Sequence, residues 1–256
     1  MRLTKKNYFS PEANMAYMSV SQFKAFEKCQ ASALAELKGE YKREKTIALM
    51  VGSYVDAYFD GTLKEFCEEN PEIFKRDGTL KAEYIQANEI IRRIERDKFF
   101  MQHLKGRKQA IRTGTIAGVP VKIKTDFLHR DKIVDMKIVK DFENVWDSEK
   151  GSLPWFEFWG YDIQGGVYQE VMRQNIGKQL PFRLAAATKE KTTDIDVLNI
   201  GQQYLDISLA HFKEKAPLYD AIKKGIIEPE RCGNCDYCKQ TKVLTEPTEA
   251  DLFYFN

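Results

Sequence analysis

Two aspartates and a lysine stand out in the stretch VKIKTDFLHRDKIVDMKIVK, with Asp126 near the end of one β-rich run and Asp135-Met136-Lys137 inside the next. Successive side chains of a strand point to opposite faces. Asp135 and Lys137 therefore share one face, Val134, Met136 and Ile138 take the other, and the polar turn from His129 to Lys132 can fold Asp126 back beside Asp135. Two carboxylates held together need a cation. Hard oxygen donors suit Mg²⁺ or Mn²⁺, and the Met136 carbonyl could add a further oxygen. Such an ion lowers the pKa of a water that can attack a phosphodiester. Lys137 could orient that water or stabilise charge on the pentavalent phosphorus. D-x-K is a short pattern, however, and a chain with 30% charged residues can produce it on an ordinary solvated hairpin face.

The flanking elements decide how such a hairpin would be used. Ser19 and Gln22 have the spacing of a capping box, which predicts a helix from Ser19 with Phe23, Phe26, Ala33, Leu34 and Leu37 as its stripe, interrupted at Cys29 and ended by Gly39. The segment KTIALMVGSYVDAYFDG predicts a second, buried helix, with Gly52 and Asp56 stacked four residues apart along its flank. A charged helix over about 82–99 follows as structural cover. The period then changes to that of strands over 109–115, 119–128 and 133–138, an antiparallel meander. FEFWGYDIQGGVYQEVMRQNIG predicts a helix ending near Gly177 that carries Gln164 and Tyr168 one turn apart, although the Gly165-Gly166 pair opposes it by ~1 kcal/mol per glycine. Strands over 182–187 and 194–200 and a helix over about 202–215 complete the pattern.

In this order, Gly52-x-x-x-Asp56, Asp126, Asp135-x-Lys137 and Gln164-x-x-x-Tyr168 resemble the PD-(D/E)XK nuclease superfamily in its RecB-like branch, closest to the RecE-like phage exonuclease VIII family, over roughly 18–244. The resemblance implies an α/β (mixed α+β) restriction-endonuclease-like core, a central mixed sheet flanked by helices. It makes Asp126, Asp135 and Lys137 catalytic, with Asp126, Asp135 and the Met136 carbonyl as metal ligands and Gln164 and Tyr168 as DNA contacts. RecB-like nucleases often have a histidine ligand where Asp56 stands here. Aspartate can ligate the same ions, so Asp56 joins the metal set. The activity implied is a Mg²⁺- or Mn²⁺-dependent exonuclease acting on ends of linear duplex DNA in phage or prophage recombination. Its partners would be DNA, a single-strand annealing protein and further copies of the chain. Two other readings remain: an iron-sulfur nuclease of the CRISPR-adaptation type that prefers single strands, and a non-catalytic DNA-binding or assembly module.

Cys232, Cys235 and Cys238 form C-x-x-C-x-x-C, and Cys29 could supply a fourth thiolate. Related iron-sulfur nucleases place one cysteine early and three late, with a longer gap in the late group. The local run suits the first ligands of a 4Fe-4S cluster better than a two-plus-two zinc site, with zinc second and free thiols as the remaining choice. Cys67 is left over as a buried apolar side chain.

The 256 residues carry 40 Lys+Arg against 38 Asp+Glu, a net charge of +2, so any DNA surface must be local. Lys122 and Lys124 share a strand face with Asp126 and are the better-placed contacts; Lys105, Arg107, Lys108 and Arg112 form a second cluster. The aromatic run Trp155, Phe156, Phe158, Trp159 and Tyr161 belongs mainly to the core, with room for one ring to stack on a frayed base. No G-x-S-x-G, P-loop or H-E-x-x-H pattern occurs. The absence of a membrane-length apolar run or secretion signal leads to an expected cytoplasmic location. A single domain over 1–256 is expected, with a helical part at about 19–100, a hairpin and core at about 109–200, and a Cys-bearing segment at about 201–256.

Overall fold

The computed structural model describes residues 1–247; the last nine residues of the Cys-bearing segment lie outside it. Its centre is a five-stranded sheet of order β1-β2-β3-β6-β7, built from β1 (Arg107–Ile116), β2 (Val119–Leu128), β3 (Ile133–Val139), β6 (Phe182–Thr188) and β7 (Ile195–Asn199). β1, β2 and β3 form the antiparallel meander that strand periodicity predicts. β3 then pairs in parallel with β6, from Ile133 opposite Phe182 to Val139 opposite Thr188. A parallel pair needs a crossover, and here it contains α9 (Tyr161–Ile176). The sheet is therefore mixed.

Alternation along β6 divides the core in two. Phe182, Leu184 and Ala186 pack with Phe23 and Phe26 of α2 (Val20–Lys28), Val167 and Val171 of α9, and Phe212 of α10 (Gln202–Lys223). Ala185 and Ala187 face the other way, toward Val51 and Val55 of α4 (Ile47–Asp60) and Ile90 and Ile94 of α6 (Ala82–Glu95). Helices thus cover both faces, as the buried strand pattern requires. On β3, Val134 and Met136 enter the second core while Asp135 and Lys137 lie on the opposite face.

Four helix boundaries differ from the sequence expectation. The first helix breaks into α2 and α3 (Gln30–Lys38), because Cys29 is extended at φ −168° and ψ 112° while its N–H and C=O close the flanking turns. The 82–99 helix stops at Glu95 and restarts as α7 (Lys98–His103), where the Asp97 side chain accepts the Phe100 N–H. Gly160, at φ 63°, separates α8 (Trp155–Phe158) from α9. α10 continues through Pro217 to Lys223 instead of ending at Lys215. The polar loop after β3 holds a small hairpin of β4 (Val145–Asp147) and β5 (Gly151–Leu153). No helix among the described residues is long and apolar enough to cross a membrane.

Candidate active site

The β2–β3 ladder ends at the Phe127–Val134 pair. One residue beyond it, Asp126 Oδ2 accepts a hydrogen bond from the Met136 N–H at 3.1 Å, so a side chain replaces the next rung and fixes the two strands where they part. Asp135 is 1% exposed. Its Oδ1 accepts from Gln164 Nε2 at 2.6 Å, and Oδ2 forms an ion pair with Lys137 but receives no well-directed hydrogen bond. α9 also delivers Tyr168, whose hydroxyl donates to the Lys124 carbonyl at 3.1 Å, and Tyr161, whose ring centre lies 5.2 Å from Lys137 Nζ. α4 brings Asp56 to the same cleft of about 230 Å³. Asp56 also lines two adjoining hollows of about 510 and 480 Å³, so the cleft opens on both sides of it.

The electrostatics are those of three aspartates sharing a cleft with several lysines, of which Lys137 pairs with Asp135. Burial raises the Asp126 carboxyl well above its usual range; Asp135 and Asp56 add to the rise, while Lys137 and the Met136 N–H oppose it. Packed cleft walls push Asp56 up to about 7 against the pull of Lys137. Asp56 itself is solvent-exposed at the mouth, so water screens part of that rise. Burial lowers the Lys137 pKa, but Asp135 and Asp126 outweigh it and hold the ammonium well above the ordinary lysine range. A buried carboxylate oxygen without a directed hydrogen bond, in a cleft that two further aspartates line, offers the hard oxygen chemistry of a divalent-cation site. Asp56, Asp126, Asp135 and the backbone of Met136 are the groups that could hold one.

All four residues expected to contact DNA line this cleft, and each has neighbours within the chain. Lys122 lines the cleft but is only 1% exposed, and it donates to the Tyr8 carbonyl at 2.5 Å and to Asn14 Oδ1 at 2.7 Å, which ties the N-terminal segment to β2. Burial lowers its pKa to about 8. Lys124 lines the cleft as well, with Nζ 4.6 Å from the Phe9 ring centre. Gln164 and the 8%-exposed Tyr168 hold the carboxylate face and β2 by the bonds given above. In the second basic cluster, Lys108 bonds the Phe59 carbonyl and Arg112 the Ile111 carbonyl, while Lys105 and Arg107 are exposed. Within the aromatic run Trp155 is buried and Trp159 is 47% exposed.

Lys24 was not singled out from the sequence. It reaches the cleft from α2, donates to the Trp159 carbonyl at 3.0 Å, and has its pKa lowered to about 8 by burial and by Lys137. Only the packing of α2 beside α9 brings it there. Cys29, Cys232, Cys235 and Cys238 converge at a separate point, and Cys67 is partly buried against the second core.

A mixed sheet flanked by helices, with Asp126 and Asp135-x-Lys137 where two strands part, defines a protein of the PD-(D/E)XK superfamily. The chain belongs to the family described as PDDEXK-like domain of unknown function (DUF3799), whose pattern matches residues 19–241. A crystal structure from Eubacterium rectale, described as a "Putative exonuclease", has 44% sequence identity and a TM-score of 0.94, covering 97% of each chain. A second solved structure, SSO0001, has a TM-score of 0.27 at 12% identity over 86% of this chain and 93% of that one. No curated protein matches.

Proposed function

We propose that this chain is a Mg²⁺- or Mn²⁺-dependent exodeoxyribonuclease of the RecE-like kind, hydrolysing phosphodiester bonds from the ends of linear duplex DNA. The carrying observation is the buried Asp135 Oδ2, which lacks a directed hydrogen bond and sits with Asp126 and Lys137 in one cleft. When bound, a divalent cation polarises the phosphate and lowers the pKa of a water. Lys137, kept protonated by its acidic neighbours, is a charge stabiliser and not a proton acceptor. Gln164 fixes the Asp135 carboxylate, and Tyr168 fixes β2 through Lys124. Lys124 and Lys24 are the cations available to a phosphate backbone entering the cleft. The setting that accompanies this reading is cytoplasmic phage or prophage recombination, with the exposed strand passed to an annealing protein and a homo-oligomer around the DNA.

The direct test uses end-labelled linear duplexes and covalently closed circles with Mg²⁺, Mn²⁺ or EDTA. The expected result is metal-dependent loss of the linear DNA and survival of the circles. Cleavage of closed circles, or equal turnover in EDTA, would overturn the proposal.

A second expectation follows from the raised carboxyl pKa values. Groups whose folded pKa is raised favour the metal-free fold at low pH, and that contribution is lost as pH rises through the folded values, about 7 for Asp56. An ion needs those carboxylates deprotonated and displaces their protons. Mg²⁺ or Mn²⁺ should therefore raise Tm more at pH 8 than at pH 6. Thermal melts with and without the ion check this, and an equal or larger shift at the lower pH would contradict it.

A further inference from the structure

Four thiols meet at the break between α2 and α3. Cys29, Cys232, Cys235 and Cys238 place their sulfurs within 4.8 Å of one another; Cys29 and Cys238 are 3.6 Å apart, and Cys232 and Cys238 are 4.0 Å apart. All four are free of disulfide bonds. The distances discriminate between two kinds of site. In a four-iron cluster each thiolate ends on a different iron, which sets the sulfurs roughly 6 Å apart. Four thiolates sharing one tetrahedral ion at ~2.3 Å lie ~3.8 Å apart, and no pair sharing an ion can exceed ~4.6 Å by much. The observed spacing matches thiolates that share one ion, whereas a cube of iron and sulfide would need the sulfurs to move apart by roughly 1–2 Å.

We propose that Cys29, Cys232, Cys235 and Cys238 hold a single structural Zn²⁺ ion, in place of the 4Fe-4S cluster that sequence spacing favoured. The surroundings are built for thiolates. The Cys235 N–H points to Cys232 Sγ at 3.4 Å and the Cys238 N–H to Cys235 Sγ at 3.4 Å, the outer hydrogen bonds that stabilise and orient metal-bound sulfur. Gly233, at φ 76°, makes the tight turn between the first two late ligands. Cys29 and Cys238 are 5% and 2% exposed, so the ion would be closed to solvent on one side and, with four protein ligands, would have no open position for chemistry.

The ion would fasten the segment after α10 to the first helices. Around it, the Ala31 N–H donates to the Glu230 carbonyl at 3.0 Å, the Glu230 N–H donates to Gln30 Oε1 at 2.9 Å, and the Tyr41 and Tyr237 rings lie 5.3 Å apart. α2, which ends at this anchor, carries Lys24 in the cleft wall. The four thiols meet only in the folded chain, so the ion's binding free energy becomes folding free energy and the expected effect is on stability and on the order of α2.

The test is metal and sulfide analysis of full-length protein, purified anaerobically from cells supplied with both iron and zinc. One zinc per chain is expected, with colourless protein, no acid-labile sulfide, and zinc released to a chromogenic chelator once a mercurial caps the thiols. Cobalt exchanged into the site should give the intense visible bands of a tetrahedral thiolate complex. Brown protein with iron and sulfide in equal, multiple amounts would overturn the proposal, and so would protein that binds no metal. Cys235→Ser is expected to lose the zinc and to be cut by trypsin near Arg231 about tenfold faster than the parent. If that variant does not fold, the analysis of the parent protein still decides. These readouts require no DNA hydrolysis, so they succeed or fail independently of the proposed nuclease activity.

Discussion

Replacing Lys137 with methionine is expected to slow hydrolysis of linear duplex ends by about a thousandfold while the protein stays folded. Methionine approximates the length and apolar stem of lysine, and the Lys137 side chain, 20% exposed over the Tyr161 ring, loses mainly its charge. Among the described residues, that charge is the one cation paired directly with Asp135. With Asp135 and Asp126 holding it protonated against burial, its work must be to stabilise developing negative charge or to orient the attacking water, not to collect a proton. Asp135→Asn should be comparably damaging, because it preserves shape and the contact with Gln164 while removing a ligand charge. Turnover measured on the same end-labelled duplex, beside Tm and circular dichroism, checks both variants. Activity within about tenfold of the parent in a folded Lys137→Met protein would remove the lysine from the mechanism, since a directly acting charge contributes far more than that.

How much of this arrangement the sequence revealed depends on the range of the interaction. Alternation along a strand was enough to put Asp135 and Lys137 on one face, and the short turn after β2 was enough to return Asp126 to their side. Both are local. The parallel pairing of β3 with β6 spans the intervening helices, and periodicity carries no record of which distant strand becomes the neighbour. Lys24 illustrates the same limit, for on α2 it is an ordinary charged position until α9 packs beside it. Lys122 is the converse case. Its strand position correctly pointed to the cleft, but nothing local showed that the Tyr8 carbonyl and Asn14, from a segment without a strong pattern of its own, would bond its ammonium there. Cys29 interrupts a helical stripe, and only its match to the late C-x-x-C-x-x-C run pointed to the partners at residues 232–238 that the fold brings to it.

The glycine pair in α9 gives the second large effect, on stability. By helix propensity alone, Gly166→Ala should be favourable by ~1 kcal/mol. The packing opposes this, because a Cβ at Gly166 would stand 2.5 Å from the Leu205 carbonyl oxygen and 3.2 Å from Leu209 Cβ, both on α10. Backbone cannot rotate aside as a side-chain end can. A Cβ at Gly165 would meet Leu205 Cδ2 and the buried Phe182 ring, each at 2.6 Å. The two glycines are therefore the surface on which α9 and α10 approach, and overpacking there should cost about 1–3 kcal/mol beyond the propensity gain. In a chain of this length that corresponds to a fall in Tm of about 3–10 °C for Gly166→Ala. Gly52→Ala supplies the opposite sign, since a Cβ there meets nothing within 4 Å, and it should raise Tm slightly. The loss at Gly166 should also reach the cleft, because the same helix holds Gln164 against Asp135 and Tyr168 against β2. Thermal melts of the two alanine variants decide the matter: equal shifts, or a Gly166→Ala protein as stable as the parent, would show that α10 can yield and that the glycines are not what sets the helix contact.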